Sequence, residues 1–173
     1  MQKIIPHLWF DDKAEEAADY YISIFNNSKK LAVDYYDKQS AEVSGKTAGS
    51  ILGVEYEIEG FCFYNINGGP FFQKNPSISF FVNCQTETEV DRLWNELSRQ
   101  GKVLMPLDKY PFNDKYGWIE DKCGVSWQIV PEVLNGYLRD PDPEKASRVM
   151  KAFMEMKKLN LAEIESAYKG ELK

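Results

Sequence analysis

The chain has 173 residues, 43% hydrophobic and 14% aromatic, which suits one globular domain or two closely packed halves with ample material for a core. Its net charge of −6 and pI near 5.0 argue against binding a nucleic-acid backbone, which needs a concentrated basic surface. No run of about 18 apolar residues occurs, so no helix is expected to span a membrane. The opening Met-Gln-Lys-Ile-Ile-Pro lacks the apolar core of a signal peptide, and the expected location is the cytoplasm.

Residues 3–10 read as a strand, with Pro6 tolerated at an edge or bulge. Asp11-Asp12 offers an N-cap for a helix to about Phe25, whose stripe of Ala14, Ala17, Tyr20, Tyr21 and Ile24 has helical spacing. Three strand-like runs follow at about 30–37, 50–58 and 61–66. Glu59-Gly60 separates the last two, and Asn67-Gly-Gly-Pro70 ends the set. Lys29-Lys30 and Lys157-Lys158 stand among acidic residues and read as solvated faces.

The pattern then begins again. Ser77–Cys84 reads as a strand with Ile78, Phe80 and Val82 on one face. Thr86 or Thr88 can cap a helix to about Gln100, with Val90, Leu93, Trp94 and Leu97 inward. That stripe repeats the i, i+3, i+4, i+7 spacing of Ala17, Tyr20, Tyr21 and Ile24. Tyr116–Pro131 reads as strand, tight turn at Asp121–Gly124, and strand. Val125, Trp127 and Ile129 fall on one face of the last strand, Ser126, Gln128 and Val130 on the other. Two copies of a βαβββ unit are inferred, about 1–75 and 76–131. Cys62, Cys84 and Cys123 are widely spaced and odd in number, as expected of free thiols in a reducing compartment.

The tail is helical. A short helix begins at Pro131-Glu-Val-Leu and ends near Arg139. Asp142 then caps a second, with Pro143 in its first position. Ala146, Val149, Met150, Phe153 and Met156 form its stripe, and Leu161, Ile164, Ala167 and Tyr168 form another after Asn160. Methionine-rich stripes of this kind serve as core or subunit contact.

The order of elements, with His7-Leu-Trp-Phe10, Ala14-Glu-Glu-Ala17 and Tyr20-Tyr21, resembles the vicinal-oxygen-chelate superfamily of glyoxalases and bleomycin-resistance proteins. Asn67-Gly-Gly-Pro70, Val90-Asp-Arg-Leu-Trp94, Gly117-Trp118, Asp121-Lys-Cys-Gly-Val-Ser-Trp-Gln128 and Asp140-Pro-Asp-Pro-Glu-Lys145 bring it closest to the PhnB-like, demethylubiquinone methyltransferase-like branch. The resemblance implies an α+β fold. Two paired βαβββ modules over residues 1–131 would form an eight-stranded, cup-shaped mixed sheet, and residues 132–173 a helical extension packed on the same domain or a second subunit. It also implies a ligand in the cup and a homodimer.

Enzymatic members of the superfamily hold a divalent metal with a histidine or glutamine on the first strand, a histidine opening the fifth and a glutamate on the last. Those positions fall here on Ile5 or, one slip around Pro6, His7; on Ser77; and on Gln128. Serine and amide oxygens add no charge and little donor strength, so neither a metal nor a cofactor is expected. The methyltransferase label lacks sequence support as well. No Gly-x-Gly-x-x-Gly occurs, and Gly68-Gly69 read as turn residues.

Alternation places His7, Trp9, Ser77, Ser79, Phe81 and Gln128 on the cup wall, with Ser126 and Trp118 beside them. Such a lining suits a small apolar or aromatic ligand oriented by His7 and Gln128. Gln128 could equally bond across to Ser77 or Ser79 and only satisfy a wall. The alternative function is a glyoxalase- or dioxygenase-type lyase or oxidoreductase with His7 as base or sole strong metal ligand. Glu120 is the best candidate for a partner carboxylate. Expected partners are thus a small molecule and a second copy of the chain, with no nucleic acid and no membrane.

Overall fold

The computed structural model describes residues 2–110, 113–131, 134–138, 140–155 and 161–171. Among these described residues, eight strands and six helices follow in the order β1 (His7–Phe10), α1 (Ala14–Ile24), β2 (Lys29–Tyr35), α2 (Lys38–Ser44), β3 (Ile51–Ile58), β4 (Phe61–Asn67), β5 (Phe80–Cys84), α3 (Glu87–Ser98), β6 (Lys102–Tyr110), β7 (Asn113–Glu120), β8 (Ser126–Pro131), α4 (Leu134–Leu138), α5 (Pro143–Glu155) and α6 (Leu161–Lys169). The strands make two four-stranded mixed sheets of equivalent topology, β1-β4-β3-β2 and β5-β8-β7-β6. In each, the first strand runs parallel to the last of its set and the remaining pairs are antiparallel. The repeated βαβββ pattern and the α+β class follow directly. The chain divides into two compact units, one up to Ser77 with Cys123–Val125, the other Ile78–Lys122 with Ser126–Lys173.

In the first unit, α1 packs across β3 and β4. Its stripe of Ala14, Ala17, Tyr21 and Ile24 is buried against Phe10, Val54, Tyr56, Ile58 and Phe63. The expected Asp11-Asp12 cap is corrected: the N-cap is Lys13, whose side chain makes no capping bond. The first helical N–H, on Ala14, donates instead to Asn67 Oδ1 at 2.8 Å, from the end of β4. A distant amide thus satisfies an orphan donor that a local cap would otherwise take. Glu59 and Gly60, both with positive φ (48° and 82°), turn β3 into β4, as the tight hairpin requires.

The segment between β2 and β3 holds a short helix that the strand reading passed over. Asp37 Oδ1 accepts from Ser40 N at 2.7 Å, and Gly45 closes α2 with φ of 65°. Asp37-x-x-Ser40 with Gly45 about two turns further on is the available signal. Lys30, expected as solvated, is ion-paired with Glu15 and Asp19, both at 2.8 Å.

In the second unit, α3 lies on β7 and β8. Val90, Leu93 and Leu97 are buried with Ile119, Trp127 and Ile129. Trp94 rests on Gly117, where an added Cβ would stand 2.4 Å from its ring. Of the two threonines offered as caps, Thr86 is used: its Oγ1 accepts from Glu89 N at 3.1 Å, while Glu89 Oε2 accepts from Gln85 N. A further correction concerns the start of β5. The strand begins at Phe80, so Ser77 and Ile78 precede it in a turn, and Ile78 is 77% exposed instead of facing α3.

The tail helices α4, α5 and α6 pack on one another. Asp142 Oδ1 accepts from Glu144 N at 3.0 Å at the start of α5. Arg148 caps α6 by donating to the carbonyls of Ala167 and Tyr168. Val149, Ile164 and Ala167 are buried, whereas Met150 and Phe153 are exposed. Glu132, Val133, Arg139, Met156, Lys157, Lys158 and Asn160 lie outside the described residues, as does the side chain of Leu161. No helix among the described residues is long and apolar enough to cross a membrane.

Candidate functional site

The face of the second sheet that α3 leaves uncovered carries four of the seven expected site residues. In register, Gln128 stands between Phe81 on β5 and Trp118 on β7. Its amide is held at both ends. Tyr116 Oη donates to Oε1 at 2.8 Å, and Nε2 donates to Ser79 Oγ at 2.7 Å. Beside it, Trp118 Nε1 donates to Ser126 Oγ at 2.8 Å. Burial, with Tyr110 as the lesser influence, pushes the Tyr116 phenol above its ordinary value, so it remains a neutral donor to the amide. Phe81 is 53% exposed and Gln128 half-buried, so an outward aromatic face adjoins an oriented amide.

The alternation that exposes Gln128 turns Trp127 and Ile129 toward α3. Trp127 Nε1 there donates to the buried carboxylate of Asp121 at 2.8 Å. Asp121 therefore serves the core and the turn, not the uncovered face.

On the first sheet, the face away from α1 presents His7, Trp9, Tyr64 and Glu55. The His7 and Tyr64 rings stack with centroids 4.8 Å apart and planes 22° from parallel. Tyr64 leans over Gly53, where an added Cβ would stand 2.3 Å from its hydroxyl oxygen. That hydroxyl donates to Asp34 Oδ2 at 2.8 Å. Burial, the bond to Asp34 and the charge of Glu55 push the Tyr64 phenol up to about 12. Trp9 is fixed by the segment after β4: its Nε1 donates to Gly69 O at 2.8 Å, its ring covers Gly68, and Phe72 meets it edge-on at 4.9 Å. Gly69 has φ of 92°, so both glycines of Asn67-Gly-Gly-Pro70 answer to packing and backbone geometry.

Ser79, Phe81, Trp118 and Gln128 thus share one face of the second sheet, and His7 and Trp9 one face of the first. Ser77 does not join a strand face: its N and Oγ both donate to Asn75 Oδ1 in the turn before β5. Of the two serines offered as Gln128 partners, the bond goes to Ser79. Glu120 stands at the end of β7, opposite Ser126 and Lys102. Sequence reasoning missed Tyr116, Tyr64 and Asp34. Tyr116 lies two residues before Trp118, so the same alternation could have placed it. Gly53, a glycine inside a strand, marked a close approach of the kind Tyr64 makes.

The positions that correspond to metal ligands do not fit a divalent centre. Gln128 offers one neutral oxygen, already accepting from Tyr116, and the Ser77 hydroxyl is engaged by Asn75. Neither supplies the charge or basicity of the glutamate and imidazole it replaces. Among the described residues, no three His, Cys, Asp or Glu side chains stand together as a metal-binding group.

Residues 2–130 match the family described as 3-demethylubiquinone-9 3-methyltransferase. No curated protein matches the chain. Among solved structures, a PhnB protein from Bacillus cereus is 36% identical with a TM-score of 0.68, over 75% of this chain and 99% of that one. A protein from Pseudomonas aeruginosa is 22% identical with a TM-score of 0.61, over 76% and 98%. A fosfomycin resistance protein from Listeria monocytogenes, solved with Mn(II) and a dihydroxypropylphosphonic acid, is 14% identical with a TM-score of 0.52, over 80% and 100%. The last two share the fold. The extent of the family match and the identity to the Bacillus cereus protein place this chain in the 3-demethylubiquinone-9 3-methyltransferase family, the PhnB-like branch of the vicinal-oxygen-chelate superfamily.

Proposed function

We propose that the chain binds a small apolar or aromatic molecule on a helix-free sheet face, without the superfamily's three-ligand metal centre. The observation that carries this is the Tyr116–Gln128–Ser79 relay beside Phe81 and Trp118. A half-buried amide fixed at both ends presents one oriented set of polar atoms within aromatic surroundings. Small-molecule sites combine the same two elements, apolar area for affinity and a few placed polar groups for orientation. Gly68 and Gly69 serve the packing of Trp9, so they lend no support to the methyl transfer named in the family description.

The test is calorimetric titration with planar aromatic amides on the purified protein and on Gln128→Leu. We expect affinity to fall about tenfold in the variant, the loss of one to two well-oriented hydrogen bonds. Equal affinity in the two proteins would remove Gln128 from the site. Elemental analysis after chelator-free purification tests the other half, and one bound metal per chain would overturn it.

A second reading is favoured by the His7–Tyr64 stack, which gives an exposed imidazole a fixed orientation. There His7 is a general base in a lyase or oxidoreductase. A His7→Ala protein that keeps its ligand and loses turnover supports this reading. The expected homodimer belongs to the proposal too, and a monomer in sedimentation at micromolar concentration would remove it.

A further inference from the structure

The helix-free face of the first sheet sets carboxylates beside an aromatic stack, and they bear on which aromatic molecule is bound. Gly53 has no Cβ, so the Tyr64 ring lies over it and reaches Asp34 on the neighbouring strand. Glu55 stands directly across from Tyr64 in the register of β3 and β4. The result is an aromatic platform, His7 on Tyr64, with one carboxylate at its end and another alongside. Lys29, further along the same face, is drawn to Glu57 at 3.4 Å, which leaves it turned to a different carboxylate.

We propose that this platform selects a planar ligand that carries a positive charge, an aromatic amidinium or ammonium. The inference rests on the binding reading given above and names the ligand class that the first sheet's face takes. Two effects favour such a ligand. An aromatic face attracts a cation through its quadrupole, and the exposed Asp34 and half-buried Glu55 carboxylates attract it by Coulomb forces. A ligand carboxylate or phosphonate would meet both carboxylates as like charges. Tyr64 donates a hydrogen bond to Asp34 and presents no cation to an anion. Here Tyr64 is a positioning residue: it orients His7 and holds Asp34 at the platform's edge.

The test uses three probes of one shape: benzamidinium, benzamide and benzoate, titrated into the full chain by NMR chemical shift at low salt. Benzamidinium should bind at least about fivefold more tightly than benzoate, the size that one or two half-exposed charge pairs supply. Benzamide should fall between them, and salt should compress the gap. Asp34→Asn should shrink the benzamidinium-to-benzoate ratio to about twofold or less, and Glu55→Gln should reduce it if the first variant does not fold. A flat or reversed order, with benzamide binding still weakened by Gln128→Leu, overturns this inference and leaves the binding reading intact. No binding of any probe overturns both.

Discussion

The two sheets share strand order and one helix-covered face, yet they place their hydrogen-bonded strand amides on opposite sides. In the first unit, buried amides face α1. Asn65 Nδ2 donates to Ala14 O and Asn67 Oδ1 accepts from Ala14 N, while Tyr56 Oη donates to Asn65 and Asn67 Nδ2 to Ile51 O. In the second unit, the α3 side is packed by Val90, Leu93, Leu97, Ile119 and Ile129. One amide of that sheet, Gln128, sits on the uncovered side instead. The cause lies at the helix starts. Helix α1 has no side-chain cap of its own and needs Asn67, whereas α3 is capped by Thr86. Where a local cap serves the helix, no strand amide is needed at its first turn.

The largest effect should come from breaking the first arrangement. Asn67→Leu removes a donor and an acceptor and strands the buried Ala14 N and the part-buried Ile51 O. The expected loss is about 2–4 kcal/mol in urea denaturation. Thr86→Ala, which removes the local cap of α3, should cost about 1 kcal/mol. If the two variants cost the same, the asymmetry between the units is one of position and not of energy.

A smaller contrast concerns the two glycines beneath aromatic rings. Gly117→Ala would drive a Cβ into Trp94, which is wedged between α3 and the sheet, and should cost about 2–3 kcal/mol. Gly53→Ala meets the half-exposed Tyr64, whose ring can swing outward at a cost of about 1 kcal/mol. Its sharper consequence is local: Tyr64 should lose Asp34, and the His7 ring should lose its stacked neighbour. Shifted His7 ring resonances with near-native stability would show this; unshifted resonances would mean the platform does not depend on Gly53.

These contrasts also mark what the sequence could reveal. Period-2 and period-3.6 patterns carried the repeated modules, the α1 and α3 stripes and the facing of Gln128, because each follows from local geometry alone. The start of β5 did not follow. Ser77-Ile-Ser-Phe alternates like a strand, but Asn75 captures Ser77 in a turn, and local side-chain bonding overrides alternation there. The Asn67 cap and the Tyr64–Asp34 bond join residues 53 and 30 positions apart. No periodicity reports contacts of that range, so the polar partners of both faces had to come from the structure.

The smallest predicted effect separates the units by pH. Burial, with Glu89 next, pushes the Cys84 thiol up to about 12 from 9.0, and the Tyr64 phenol reaches about 12 from 10.0. Both pKa values are raised on folding, so the unfolded chain loses these protons first. Stability is fully present below pH 9 and falls as pH rises toward 12. Lys30 and Lys115, raised by their carboxylate partners, act in the same direction above about pH 10.5, so the individual contributions require variants. Cys84→Ala should flatten the decline between about pH 9 and 10, before Tyr64 takes part. Tyr64→Phe should leave that interval unchanged and flatten the curve above it. Urea midpoints at half-unit pH steps resolve the order. A Tyr64→Phe curve that parallels the parent above pH 10 would mean that its hydroxyl is no more shielded when folded than in the unfolded chain, and the Asp34 bond would then be too weak to hold the platform.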